Sequence, residues 1–299
     1  MTAISLARPQ AAAWLRLGRV SNLPTVWTNV LAAAALAGMG WSVATLATAT
    51  AMTMMYVGGM FLNDGFDHRI DMIERPSRPI PSGAVPVRSV LIAGFTLLVL
   101  SILLIAATAL VAAPFAAILA LLILAYNLHH KNNPFAPLLM GACRAVVYLT
   151  TGVAVVATTQ LNASWAITVA ALGILAHVAG LTYAARSEAF DRVERLWPLL
   201  LLAAPVAASI ALAGSPTRLS PGMMVAGATL VAVDVLAVQW LRRRVAFPGA
   251  VSQAVSLLIA AVSLADGLLA SVVAGWSAVA IGIVGFSLTL ALQRVVPGT

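Results

Sequence analysis

Ten apolar stretches follow one another along the chain with only short polar breaks: 24–41, 44–62, 88–108, 110–127, 136–158, 164–184, 197–213, 222–241, 250–270 and 273–293. Crossing a bilayer takes about 20 mostly apolar residues in a helix. Lipid offers no partner for a backbone amide, so each crossing segment must satisfy its own hydrogen bonds. The expectation is therefore an all-α, polytopic transmembrane helical bundle, read as one domain over 1–299. Only 9% of the 299 residues are charged, against about 25% in a soluble domain. That is too few to coat a water-facing surface.

Alternating crossings divide the linkers between two sides. Fifteen of the 17 basic residues fall on one of them: Arg8, Arg16, Arg19, Arg69, Arg75, Arg78, Arg88, Lys131, Arg186, Arg192, Arg195, Arg242, Arg243, Arg244 and Arg294. Arg218 falls on the other side, and Arg144 lies within a span. This bias marks the basic side as cytoplasmic, in an inner (plasma) membrane. It also accounts for the net charge of +8 without a nucleic-acid partner. No secretory signal pattern precedes the first span, so that span is expected to stay in the mature protein. A single cysteine, Cys143, builds neither a disulfide framework nor a cysteine metal site, and reads as a small apolar residue inside a helix.

The acids are concentrated. Seven of nine lie in two linkers on the basic side: Asp64, Asp67, Asp71 and Glu74 in one, Glu188, Asp191 and Glu194 in the other. If the second span continues as a helix, Asp64, Asp67 and Asp71 share one face. Three like charges there repel unless a cation joins them. Mg²⁺ suits this pattern, since it is usually held by one or two carboxylates, several waters and substrate phosphates. The following linker adds Arg75 and Arg78, whose planar donors match phosphate, on a stretch stiffened by Pro76, Pro79 and Pro81.

The run Asn63-Asp64-x-x-Asp67-x-x-x-Asp71, continued by Arg75-Pro76-x-Arg78-Pro79-Ile80-Pro81-Ser82-Gly83, resembles the first signature of the UbiA superfamily of membrane prenyltransferases. Arg19-x-x-Asn22-Leu23-Pro24-Thr25 resembles that family's entry segment. The resemblance implies a ring of nine helices around a central cavity, here with a tenth span, and two acidic motifs at a cytoplasmic mouth. It implies transfer of a prenyl group from a Mg²⁺-bound isoprenoid diphosphate to an acceptor, often aromatic. Asp64, Asp67 and Asp71, assisted by Asn63, would bind Mg²⁺. Arg75, Arg78, Lys131, Arg144 and Arg186 would face the substrate's charge, with Asn22 also at the substrate, and the ring of Tyr126 or Tyr183 would stabilise an allylic cation.

The second motif departs from the family pattern. Tyr183-Ala184-Ala185-Arg186-Ser187-Glu188-Ala189-Phe190-Asp191 lacks Asp-x-x-x-Asp, although Glu188, Asp191 and Glu194 could still bind metal. A solvated linker of Glu/Arg pairs is the alternative. Lys131 comes one position later after Tyr126 than the family's Tyr-x-x-x-Lys. With the tenth span, these features resemble the divergent EboC-like branch, for which a non-prenylating transporter or binder of an isoprenoid or aromatic metabolite is the alternative function. Inside the spans, Arg144 is expected to face the cavity. Asp234 and Asp266 are expected either to hydrogen-bond Ser or Thr or to meet a polar acceptor or proton. His177 reads as a core residue, and the adjacent His129 and His130 point apart.

Overall fold

The computed structural model describes residues 9–131, 133–159, 164–186, 197–215, 218–242, 250–296 and 298. Among them the regular elements are helices: α1 (Pro9–Leu17), α2 (Leu23–Leu36), α3 (Val43–Glu74), α4 (Val87–Thr108), α5 (Ala113–His129), α6 (Ala136–Thr159), α7 (Ser164–Ala185), α8 (Ala204–Ala213), α9 (Pro221–Arg242) and α10 (Ala250–Gln293). Short 3₁₀ turns precede α2, α5 and α8. Seven helical stretches are long and apolar enough to cross a membrane.

The ten stretches read from the sequence recur in order, with instructive differences in length. The first is cut short: α2 stops at Leu36 because Gly38 takes a left-handed φ of 78°. The seventh is divided between a 3₁₀ turn, Trp197–Ala203, and the ten-residue α8, with Pro198 and Pro205 near their starts. The last two form one element broken at Gly275, whose φ of 55° and ψ of −134° reverse the chain. Segments 250–274 and 276–293 then pack against each other. They approach so closely that a Cβ on Gly267 would stand 2.9 Å from the Cα of Gly282, the kind of contact that small residues allow between helices in lipid.

The second stretch is longer than the bilayer requires. The Ser42 hydroxyl caps α3 by accepting from the Thr45 amide, and the helix then runs for 32 residues. At 1.5 Å per residue this is about 48 Å, against about 30 Å of hydrocarbon. The excess turns carry Asn63 to Asp71 to the rim of the bundle as regular helix.

Two large apolar clusters hold the bundle together, and a smaller third joins α1, α3 and the start of α4. One unites α10 with α7, α9 and parts of α2 and α6. The other joins α3, α4 and α5 to the remaining faces of α2 and α6. Since α2 and α6 serve both, the cavity opens where the two clusters part. Large side chains such as Ile92, Phe95, Val99 and Leu103 on α4 stay exposed, as a lipid-facing surface requires. Trp41, Trp165 and Trp276 are exposed near the helix ends remote from the acidic motif, where indole rings anchor a membrane interface.

Candidate active site

A cavity of about 360 Å³ opens among α3, α5, α6, α7 and α10, with Arg19 and Asn22 beside it. It is continuous with a deeper, largely apolar slot of about 90 Å³ between α2, α3, α5 and α6, because Tyr56, Met60, Tyr126, Met140 and Arg144 line both. A polar mouth thus sits above an apolar crevice.

The three aspartates share a face of α3, and each meets a cation. Arg78 lies 2.7 Å from Oδ2 of Asp71 and 3.4 Å from Oδ1 of Asp64. Arg19 reaches the same Asp64 oxygen at 3.3 Å. Lys131 lies 2.9 Å from Oδ1 of Asp67, with His130 Nε2 3.4 Å from its Oδ2. The stiff Arg75–Gly83 linker turns back over α3, which is how Arg78 reaches acids seven and fourteen residues before it. Arg19 is held with φ 43° and ψ 47°, a left-handed conformation costly for a residue with a Cβ, and this lets its side chain reach Met60, Asn63 and Asp64.

The end of α5 clamps the other flank. Asn127, His130 and Lys131 lie one turn apart. Asn127 donates to the Gly59 carbonyl and accepts from the Asn63 amide. The other end of the Asn63 side chain, Oδ1, accepts from Arg19. His130 stacks on Tyr126 with ring centroids 5.2 Å apart, while His129 turns back to the Ala125 carbonyl. The two histidines diverge, as their adjacency implies.

Of the residues expected from sequence, Asn22, Asn63, Asp67, Asp71, Arg75, Arg78, Tyr126, Lys131, Arg144 and Arg186 line the cavity, and Asp64 is tied to it through Arg19 and Arg78. Asn22 has its side chain engaged by Gln293 and the Gly298 carbonyl. Tyr183 lies on α7 between lining residues but does not line the cavity itself. Arg186, at the end of α7, donates to the Asn133 carbonyl at the rim. Glu188, Asp191 and Glu194 lie outside the described residues. Arg19, Tyr56, Asn127 and His130 line the cavity or the slot without a role expected from the sequence, although Arg19 and Thr25 stand in the family-like entry segment. Asn127 and His130 could have been found from their i, i+3 spacing before Lys131.

Among the described residues, no three His, Cys, Asp or Glu side chains converge as a preformed metal cage. The oxygens present do suit a hard cation that completes its shell with water and phosphate. Oδ2 of Asp64 and Oδ1 of Asp71 take no hydrogen bond among the described residues, and both side chains are under a tenth exposed. The donor set therefore fits a Mg²⁺ held by one or two carboxylates.

Below the mouth, Arg144 spreads over the Tyr56 ring with its Cζ 5.9 Å from the centroid. It donates to the Thr25 hydroxyl at 2.9 Å and to the Thr25 carbonyl at 3.2 Å. The same carbonyl accepts from Thr28, whose hydroxyl also lies 2.7 Å from Oδ2 of Asp266. Asn29 and Tyr148 donate to Oδ1 of Asp266, so the expected hydroxyl partner is present and two more donors join it. Asp234 differs: its Oδ1 is buried without a partner among the described residues. His177 is a core residue with Nδ1 3.0 Å from the Leu202 carbonyl.

A sequence profile described as the UbiA prenyltransferase family matches residues 21–246, well over half of the chain. Digeranylgeranylglyceryl phosphate synthase of Ignicoccus hospitalis is 44% identical over 73 residues, 24% of each chain. The enzyme of the same name from Methanopyrus kandleri is 35% identical over 77 residues, 26% of this chain and 28% of its own. The chain thus aligns with only about a quarter of the length of these curated relatives. Among solved structures, a UbiA homolog from Aeropyrum pernix K1 superposes with a TM-score of 0.61 at 18% identity, over 93% of this chain and 98% of that one. A structure described as giving insights into digeranylgeranylglyceryl phosphate synthase in membranes superposes at 0.59 and 19% identity, over 91% and 100%. At these identities the likeness is one of fold.

Proposed function

The chain belongs to the UbiA prenyltransferase family, and on that premise we propose that it transfers a prenyl group from an isoprenoid diphosphate to an acceptor within the bilayer. The observation that carries this reading is the stacking of a mouth rich in carboxylates and guanidinium groups directly over an apolar slot. A diphosphate headed by a hydrocarbon tail has that polarity.

Asp64 and Asp71, with Asp67 and Asn63 beside them, would hold Mg²⁺, which supplies positive charge against the diphosphate when bound. Arg19, Arg78 and Lys131 reach the same oxygens and neutralise charge that builds on the leaving group. The bond from C1 to the diphosphate oxygen breaks with its electrons departing on the diphosphate. The Tyr126 ring lines both mouth and slot, and the face not stacked on His130 would favour an allylic cation. Met52, Met55, Leu119 and Val147 line the slot and exclude water, so the acceptor rather than solvent captures C1, and the proton the acceptor gives up passes to the released diphosphate.

Arg144 serves the acceptor. Tyr56, beneath its guanidinium, precedes Asp64 by eight residues of α3, about 12 Å along the axis, so Arg144 belongs to a deeper level than the diphosphate. It is the charged residue of the slot and forms no ion pair among the described residues, which suits an acceptor bearing a carboxylate or phosphate. An aromatic acid meets that description, and so does a glyceryl phosphate of the kind named for the relatives. The uneven distribution of Lys and Arg supports a mouth on the cytoplasmic side of an inner membrane.

The test is turnover of labelled prenyl diphosphates by the purified protein with Mg²⁺. Asp67→Asn is expected to lower diphosphate release on the order of 10²–10³-fold. Release that is indifferent to both Mg²⁺ and Asp67→Asn would refute prenyl transfer.

A further inference from the structure

We infer that the slot admits a donor of one or two isoprene units, and that Met52 and Met55 set the limit. The inference rests on the prenyl-transfer reading above and names the donor's chain length. The slot is small. Its volume is about 90 Å³, whereas an apolar cavity of about 150 Å³ takes one benzene molecule. An isoprene unit, one carbon smaller than benzene and open to the mouth at one end, is about what the slot holds. A geranylgeranyl tail, four times that unit, would need several times the space.

Depth gives a similar limit. Met60 and Tyr126 line both slot and mouth, so the reacting end of the donor lies at their level. Met52 precedes Met60 by eight residues of α3, about 12 Å along the axis. An extended hydrocarbon advances about 5 Å per isoprene unit, from four bonds of about 1.5 Å laid zigzag. Two units therefore reach the level of Met52. Below that level the slot is closed. One turn further from the mouth, α2, α3, α5 and α6 present Val30, Thr48, Ala116 and Thr151, each 0% exposed.

Met52 and Met55 stand three residues apart and so share a face of α3. Both line the slot, and each is 1% exposed. A longer tail has to displace these packed side chains, because an interior keeps few voids in reserve. Shortening either one to Ala removes three heavy atoms, and shortening both removes slightly more than one isoprene unit contains. The remaining apolar wall of the cavity, Val178, Leu181, Val255, Ile259 and Val262 on α7 and α10, belongs to the wide mouth, where the acceptor must also fit.

The full-length protein in nanodiscs can be given dimethylallyl, geranyl, farnesyl and geranylgeranyl diphosphates for turnover, and the matching unreactive thiolodiphosphates for binding. Outgrowing a pocket by even one methylene costs about 10-fold or more. The wild type is therefore expected to use geranylgeranyl diphosphate at least about 10-fold less well, in kcat/KM, than the better of the two shortest donors. Partition into the bilayer favours the longest donor, so it works against this outcome. The analogues should bind in the same order. In the double variant Met52→Ala/Met55→Ala the farnesyl-to-dimethylallyl ratio of kcat/KM should rise at least about 10-fold, a comparison in which partition cancels. Met55→Leu conserves volume and should keep the wild-type order, and size-exclusion profiles confirm that each variant is folded. Wild-type protein that binds and uses geranylgeranyl as well as dimethylallyl diphosphate overturns the inference, as does a folded double variant whose ratio is unmoved. Binding of the analogues in the expected order, with none of the donors turned over, would refute prenyl transfer and leave the length limit standing. Turnover indifferent to chain length would refute the limit alone.

Discussion

Substituting Arg144 by Gln separates the roles of the deep and shallow cations. Two of the five guanidinium donors are spent on Thr25, leaving the rest for an anion. A hydrogen bond to a charged group contributes about 1.5–3 kcal/mol, which is roughly a 10- to 150-fold change in affinity. The Gln amide is shorter and brings no charge, so it gives up the Thr25 contacts as well as the anion, and the loss of the anion contact should fall on the acceptor. Steady-state kinetics with an acid acceptor and its neutral ester, or with a prenylglyceryl phosphate and the corresponding prenylglycerol, would measure it. The acceptor KM should rise by about that factor for the anionic member of whichever pair is turned over. The donor KM should stay within about threefold, and the neutral member should be insensitive to the substitution. A rise confined to the donor KM would show that Arg144 touches the diphosphate, and the reasoning from depth along α3 would be wrong.

Two further expectations concern the frame. Gly275→Ala should lower stability by about 1–3 kcal/mol, read as a drop in thermal midpoint in detergent. Open space surrounds the position, so the whole effect comes from its φ of 55° and ψ of −134°, and an unchanged midpoint would refute the strain argument. Asp266→Asn turns an acceptor of three hydrogen bonds into a group that offers its own amide protons to donors, which should cost about 1–3 kcal/mol. Asp266→Glu, too long for its socket, should not restore the midpoint.

The sequence displays the features that repeat at short range. Apolar runs placed the helices, and the spacing of Asp64, Asp67 and Asp71 put them on one face once α3 continued past the bilayer. Helix endings depended on backbone conformations that composition alone does not reveal. Gly38 shortens α2 and Gly275 reverses α10, yet many other glycines of the chain sit inside straight helices. Pairing was equally hidden. Arg78 lies near the acids in sequence, whereas Arg19 is 45 residues from Asp64, and Lys131 reaches Asp67 only because α5 packs beside α3. Asp266 was legible as a buried acid in need of donors, but Thr28, Asn29 and Tyr148 come from two helices far back in the chain. Their convergence is a product of packing rather than of local pattern.

The position of α10 at the centre of one packing cluster has a consequence for biosynthesis. α10 leaves the ribosome after the helices that carry Thr28, Asn29 and Tyr148, which await its Asp266. Earlier helices enter the bilayer with those polar groups unanswered, and a large apolar face of α2 finds its neighbour only when α10 has been made. Contacts so distant in sequence form late. The nascent chain must therefore shelter an open seam in the membrane until α10 arrives, which makes it a natural client for whatever guards polar residues in lipid.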